Sequence, residues 1–354
     1  MIKENNIMNS LEVKRKKSFL IGGVLLFLSL LLLIMSVNIG RADIKIMEVV
    51  RIIAAKITSN TSILEGISKS KVAIVWDIRL PRILVALLVG GGLAVSGAIF
   101  QSLLMNPLAD PYTIGVSTGA AFGAVLCIYM NIFIVKTPMP ITPFAFLGAI
   151  LTLLIVMKIA NIDGYMSSSN LVIAGIIVSS ILSAGISFLK STSGEQVFAI
   201  IYWLMGSLNS RTWSQVIISF PIILICTLVC IYFADDLNIL AFGEKEARSL
   251  GVNTKRTRNI FLISASLITA VCVSVSGIIG FIGLVVPHIV RFSLTSDNRY
   301  LIPISSLLGS ILLLMADNIS RSLFNIDIPV GVITTLFGGP FFIYIFVSRN
   351  KSIQ

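Results

Sequence analysis

Apolar runs of about 20 residues recur along this 354-residue chain, each long enough to cross a bilayer as one helix. No other feature limits the fold so sharply. In hydrocarbon every backbone N–H and C=O must be satisfied inside the protein, so such runs become helices packed into a bundle. They fall at residues 18–38, 82–103, 114–135, 142–161, 170–190, 213–233, 259–277, 280–296, 303–323 and 329–347. The expectation is an all-α, polytopic membrane protein with about ten spans, a single transmembrane domain over 1–354. The eighth run is interrupted by Pro287 and His288, and 195–209 reads as a partial helix outside the count. Only 12% of residues are charged, where a soluble domain carries about a quarter, so lipid rather than water is expected to cover most of the outside.

Charge sets the expected orientation. Residues 1–17 form a leader ending in Lys14, Arg15, Lys16 and Lys17. The apolar run that follows is long for a signal peptide and lacks a small-x-small cleavage site, so it reads as an uncleaved first span. Basic residues stay inside, which puts the N-terminus in the cytoplasm and, with ten spans, Arg349 and Lys351 there too. Residues 235–258 then face the cytoplasm, and 39–81 lies outside. The outer placement runs against charge, since 39–82 holds eight Lys or Arg, but at over 40 residues it nears the length where the rule weakens. The net charge of +11 is thus no argument for nucleic acid. Cys127, Cys226, Cys230 and Cys272 all fall in spans without CxxC spacing, so neither a disulfide framework nor a metal site follows.

Two stretches echo each other. Aligning 93–107 with 271–287 matches Val95/Val275, Ser96/Ser276, Gly97/Gly277, Ile99/Ile279, Leu104/Leu284 and Pro107/Pro287. In the expected topology the pair run in opposite senses, as inverted repeats of a transporter do; chance similarity between apolar segments is the plain alternative. Span interiors are nearly free of ionisable groups. Gly115, Gly119 and Gly123 share one helix face, and so do Gly175, Ser179, Ser183 and Ser187. The glycine stripe reads as close helix packing. The serine stripe reads equally as packing or as the wall of a polar passage. His288 stands alone and reads as structural, because a lone histidine assembles neither metal site nor triad. Asp317 and Arg321 are spaced i,i+4: either an intrahelical ion pair or an exposed arginine awaiting an acidic partner.

The most anomalous stretch is the polar island LAFGEKEARSLGVNTKRTR at 240–258. Gly243 breaks the chain, Glu244 and Glu246 occupy a first turn where the helix dipole favours anions, and Gly251 is a stop. Ala247 and Leu250 share a face suited to a partner's groove. A loop held inside by its charge would account for Lys255, Arg256 and Arg258, but not for a short capped helix before them.

WDIRLPR (76–82), SGAIFQSLLMNPLADPYTIGVSTGA (96–120), YWLMGSL (202–208), FGEKEARSLGV (242–252), GIIGFIGLVVPHIVR (277–291), ADNISR (316–321) and IPVGVITTLFGGPFF (328–342) together resemble the FecCD-type permeases, the membrane subunits of ATP-driven importers for iron–siderophores, haem and cobalamin. The resemblance runs in order from about residue 76 to 347, while the first 75 residues match only in kind. It implies a type II ABC importer permease with ten spans and inverted repeats, paired as a homo- or heterodimer in a bacterial inner membrane. Two cytoplasmic ATPases would carry ATP and Mg, an extracytoplasmic binding protein would deliver cargo, and this chain would bind no cofactor and perform no catalysis. The coupling helix to the ATPase falls on Gly243, Glu244, Glu246, Ala247, Arg248, Leu250 and Gly251. Arginines that meet the binding protein fall on Arg79, Arg82 and Arg321; for the first two, interfacial anchoring is the plain alternative. The gate falls on Ser168 and Ser169, a second constriction on Asn106 and Leu108, and the path on Ser179 and Ser183. Ferric siderophore is the first choice of cargo, with haem and cobalamin in the same class. No Walker A pattern occurs, so ATP would be handled in trans. The alternative is a secondary carrier driven by an ion gradient.

Overall fold

The structure, a computed structural model, describes residues 2–40, 42, 44–135, 137–162, 166–322 and 327–351. Tyr165 of the YMSSSN turn and Leu323 at the end of the ninth run lie outside the described residues. The described elements are helical: α1 (Ile2–Asn38), α2 (Ile46–Thr58), α3 (Lys69–Ala73), α4 (Leu80–Leu103), α5 (Val116–Phe133), α6 (Ile141–Ala160), α7 (Ser168–Thr192), α8 (Val197–Leu204), α9 (Trp213–Tyr232), α10 (Ala234–Leu240), α11 (Glu244–Ser249), α12 (Thr254–Ser276), α13 (Ile282–Ser293), α14 (Asn298–Ser322) and α15 (Val330–Lys351). Eight helices among the described residues are long and apolar enough to cross a membrane, and α13 and α15 add shorter apolar stretches.

Burial sorts these helices into layers. α4 and α12 form the centre: 83% of the apolar window of the α3–α4 rod and 78% of that of α12 are buried, against 17% in α1. Hydropathy alone ranks α1 highest, because a helix facing lipid can be uniformly apolar while a central one must present small and polar residues to its neighbours. α4 does so with glycine. A Cβ on Gly90 would strike the Gly309 backbone of α14, one on Gly309 would strike Gly90 in return, and one on Gly97 would overlap the Gly283 carbonyl of α13. The glycine stripe of α5 works likewise: Gly119 meets Gly148 and Thr152 of α6, and Gly123 meets the Phe144 carbonyl. Between α4 and α12 the buried Ser96 hydroxyl donates to the Ala265 carbonyl of α12, 2.8 Å away.

Two expectations change here. The eighth run is not a full span: α13 has 12 residues, about 18 Å of helix, too short for a hydrocarbon core of about 30 Å. Residues 277–281 before it are not helical, and Gly277 (φ 72°) and Phe281 (φ 69°) both take left-handed backbone. Gly277 sits against the Trp203 carbonyl and Gly206 (φ 71°) against that of Ile278, so the blocks around 206, 277 and 331 meet at one knot, closed by Ser207 N–H to Ser276 O (2.7 Å) and Gly331 N–H to Gly206 O (3.2 Å). The echo stretches also differ locally. Residues 93–103 are uninterrupted helix while 277–281 break, and the two stretches pack on each other, with Gln101 Nε2 donating to Leu284 O at 3.0 Å.

Between α3 and α4, Ile74–Arg79 winds as a π-helix, its exit marked by Leu80 N–H bonding back to Val75 O. Pro81 follows immediately and has no N–H to give, which loosens the ladder at this point. The insertion turns both Arg79 and Arg82 toward the protein.

Candidate functional site

The bundle has two chemically distinct ends. One gathers the C-terminus of α1, the N-terminus of α4 and the C-terminus of α14. Asp317 on α14 is fully buried there and holds two arginines: Arg82 donates to Oδ1 through Nε at 2.9 Å, and Arg321 lies 3.1 Å from Oδ2. Arg82 also stands 3.9 Å from Asp327. Arg321 reaches on to the Ile39 carbonyl at 3.1 Å. Arg79 donates to the carbonyls of Val37 (2.6 Å) and Ala42 (2.8 Å). The sequence leaves Arg321 open between an ion pair and an exposed docking group; the structure pairs it and buries all three arginines, with side chains of Arg82 and Arg321 only 8% exposed. The hub is Asp317, for which the only sequence signal is its i,i+4 spacing to Arg321. Charges so buried survive because carboxylate and guanidinium compensate each other and the carbonyls take the remaining donors.

Beside this cluster the 39–81 segment forms a small cap. Lys71 Nζ bonds Glu48 Oε1 at 2.8 Å, Arg51 holds the carbonyls of Ile63 and Glu65, and Trp213 Nε1 donates to Trp76 O at 2.9 Å. The Lys71 hydrogen bond holds the Glu48 carboxyl below its usual range.

The opposite end gathers the N-termini of α7, α12 and α14, the C-terminus of α4, and α10 and α11. α10 is tied down by Asn238, which donates to Asp297 Oδ1 at 2.7 Å and accepts from Asn298 N at 2.9 Å. Burial pushes Asp297 upward, but Arg299 and Asn238 outweigh it and hold the carboxyl low. α11 then stands on α12. Gly243 (φ 121°) makes the turn, Glu244 pairs inward with Arg258 of α12, and Arg248 Nε bonds Thr254 Oγ1 at 3.2 Å. Ala247 is fully buried in the core, so it is not part of a partner-facing surface; a helix this short can turn only one face outward. Exposed beside α11 are Leu250 (67%), just after it, and, just before Gly243, Phe242 (78%), which sequence reading passes over because an aromatic in an apolar-rich chain carries no signal of its own.

The turns on Asn106–Leu108 and Ser168–Ser169 lie at this same end. The cap of α7 is Ser167, whose hydroxyl accepts from Asn170 N–H; Ser168 is the first helical residue and reaches Leu103 O at 3.3 Å. Asn106 accepts from Leu108 N–H at 2.9 Å, an Asx turn that leaves Leu108 half-exposed. The serine stripe of α7 divides. Gly175 and Ser179 pack on Thr113–Gly115, where Gly115 (φ 82°) has no room for a side chain, while Ser183 and Ser187 are exposed. His288 packs edge-on against Phe342. No group of three or more potential metal ligands occurs among the described residues.

A lipid-facing helical bundle with a close-packed glycine centre, polar turns at one end and a short helix standing on it is the architecture of a multi-pass membrane transport subunit. The chain belongs to the FecCD transport family, which matches residues 25–348. The cobalamin import system permease protein of Halobacterium salinarum is 40% identical over 80% of this chain and 76% of its own length. The Fe(3+)-citrate import system permease protein of Bacillus subtilis strain 168 is 34% identical over 94% of this chain and 96% of its own. Among solved structures, one described as an inward-facing metal-chelate type ABC transporter matches with a TM-score of 0.79 at 30% identity, covering 93% of this chain and 99% of that one. The protein is accordingly an ABC importer permease subunit, a transporter component rather than an enzyme.

Proposed function

We propose that this chain carries a ferric chelate, a siderophore first among them, into the cytoplasm as one half of a permease dimer. Relatives named for Fe(3+)-citrate and cobalamin and a neighbour of metal-chelate type support that cargo class. Two ATPase subunits bind ATP and Mg and dock on Gly243–Gly251 and the adjoining Phe242, chiefly at Phe242 and Leu250; the chain itself holds no cofactor. N- and C-termini are cytoplasmic, as is the α11 end. A binding protein docks at the Arg82 end, where Arg79, Arg82 and Arg321 first hold the rim together and meet acidic side chains only if these displace their present partners. Asn106, Leu108, Ser168 and Ser169 form the gate turns, and Ser183, exposed on α7, lines the path with Ser179 at its packed lower edge.

The observation that carries this reading is α11 with its flanks: a short charged helix whose first carboxylate is anchored inside the bundle, preceded by exposed Phe242 and followed by exposed Leu250. The helix-in-groove mode of docking needs this combination of exposed anchor and rigid base. In proteoliposomes, uptake is expected to require the ATPases and ATP. Replacing Glu244–Leu250 by a Gly/Ser segment should abolish uptake while ATP hydrolysis continues. Uptake without ATP, driven by an ion gradient, would overturn the reading in favour of a secondary carrier. Titrating the cognate binding protein with ferric siderophore, haem and cobalamin separates the cargoes.

A further inference from the structure

We infer that Arg258 is the positioning residue that ties the α11 helix mechanically to the gate turns. This rests on the docking role proposed above for α11.

Arg258 lies in the first turn of α12, with its side chain 7% exposed. It makes two contacts that no other side chain among the described residues duplicates. One is the ion pair to Glu244, the first residue of α11. The other is a hydrogen bond donated by Nη1 to the main-chain carbonyl of Met166, immediately before Ser167, the cap of α7. Ser168, the first helical residue of α7, bonds Leu103 O at the end of α4, just before the Asn106–Leu108 turn. A continuous polar path therefore runs from Glu244 through Arg258 to Met166, and from Ser168 to Leu103.

The chemistry suits arginine alone. A guanidinium presents five donors in a rigid plane and can hold a carboxylate and a carbonyl at once with fixed geometry, whereas the lysine ammonium is a point charge on a flexible stem. Burial strengthens both contacts and makes independent movement of the two partners unfavourable. The other side-chain polar contacts of α11 among the described residues, Arg248 to Thr254, Arg248 to Glu244 and Ser249 to the Glu246 carbonyl, stay within the α11–α12 corner and do not reach α7. A shift of α11 by a docked ATPase thus moves the α7 entrance through Arg258.

The test uses the full permease with its ATPases in liposomes, with a nitroxide on Ser169→Cys in both permease copies, and reads two quantities: ATP hydrolysis, and the change in inter-copy distance between the ADP and the vanadate-trapped ATP states. Neither needs the cargo. With Arg258 intact, the distance changes with nucleotide. Arg258→Gln is expected to keep hydrolysis within about threefold and to lose most of that change; Arg258→Lys is expected to do the same, since it keeps the charge but not the two-way grip. The exchange Glu244→Arg with Arg258→Glu is expected to remain defective, because a glutamate cannot donate to the Met166 carbonyl. A role as mere charge partner predicts recovery in both the lysine variant and the exchange. A distance change that survives in Arg258→Gln or Arg258→Lys overturns the inference while leaving the docking reading intact. No nucleotide-dependent change even with Arg258 present overturns both.

Discussion

Arginine is buried at both ends of this permease, but to opposite effect. At the Arg82 end, two guanidiniums share the fully buried carboxylate of Asp317, and backbone carbonyls of Val37, Ile39 and Ala42 accept further donors of Arg79 and Arg321. These contacts tie the ends of α1, α4 and α14 and the segments beside them, and α14 packs closely on both other helices. At the Glu244 end, a single arginine joins a short helix to the main chain just before α7. The first arrangement locks a rim; the second links two parts able to move. The difference teaches that burial of charge by itself does not mark a docking or a coupling group. What matters is whether the partners are held independently of the charge.

The comparison can be broken most directly at Asp317. Asp317→Ala should leave two facing arginines without a counter-charge and cost about 3–5 kcal/mol, read as lost monodisperse yield and a lowered Tm in detergent. If stability is unchanged, the rim is not locked by this cluster. Glu244→Ala should cost less, about 1–3 kcal/mol, since Arg258 keeps the Met166 carbonyl and Glu244 is already 16% exposed. Equal losses at the two sites would erase the distinction drawn between them. Gly97→Ala, in the packed centre, should cost about 1–3 kcal/mol by forcing α4 from the Gly283 carbonyl, and serves as the reference for damage unrelated to charge. Leu250→Asp should leave stability within about 0.5 kcal/mol of the parent, since the side chain is exposed, yet weaken co-purification of the ATPases. The smallest effect is expected at Glu48. Its carboxyl ionises below its usual value, so the tether to Lys71 is present above that range and is lost only as pH falls through the lowered value. Hydrogen exchange in α2 should thus be insensitive to pH near neutrality, after correction for the intrinsic exchange rate, and rise in acid; Glu48→Gln should remove the step.

Much of this architecture was legible in the chain. Eight of the ten apolar runs correspond to the long apolar helices, α15 covers the tenth, the partial helix of 195–209 appears as α8, and the island contains α11. These are local properties: hydropathy over one helix length, a glycine at a turn, a carboxylate in a first turn. The eighth run failed because apolar composition cannot distinguish a spanning helix from a half-length one packed inside protein. The inward face of Ala247, the exposure of Phe242 and the burial of Arg79, Arg82 and Arg321 failed for a related reason. Each depends on which neighbour covers the residue.

The sequence by itself determined that lipid is the main solvent, that the chain is a helical bundle, and that a polar helix interrupts it after residue 240, since the bilayer's demand for internal hydrogen bonding leaves no other solution. Only the tertiary structure decided that Asp317 gathers Arg82 from 235 residues away and that Arg258 bridges Glu244 to Met166, 92 residues before it. Charge pairing depends on distance in space, and distance in space between remote residues is set by how the helices pack, not by any one of them.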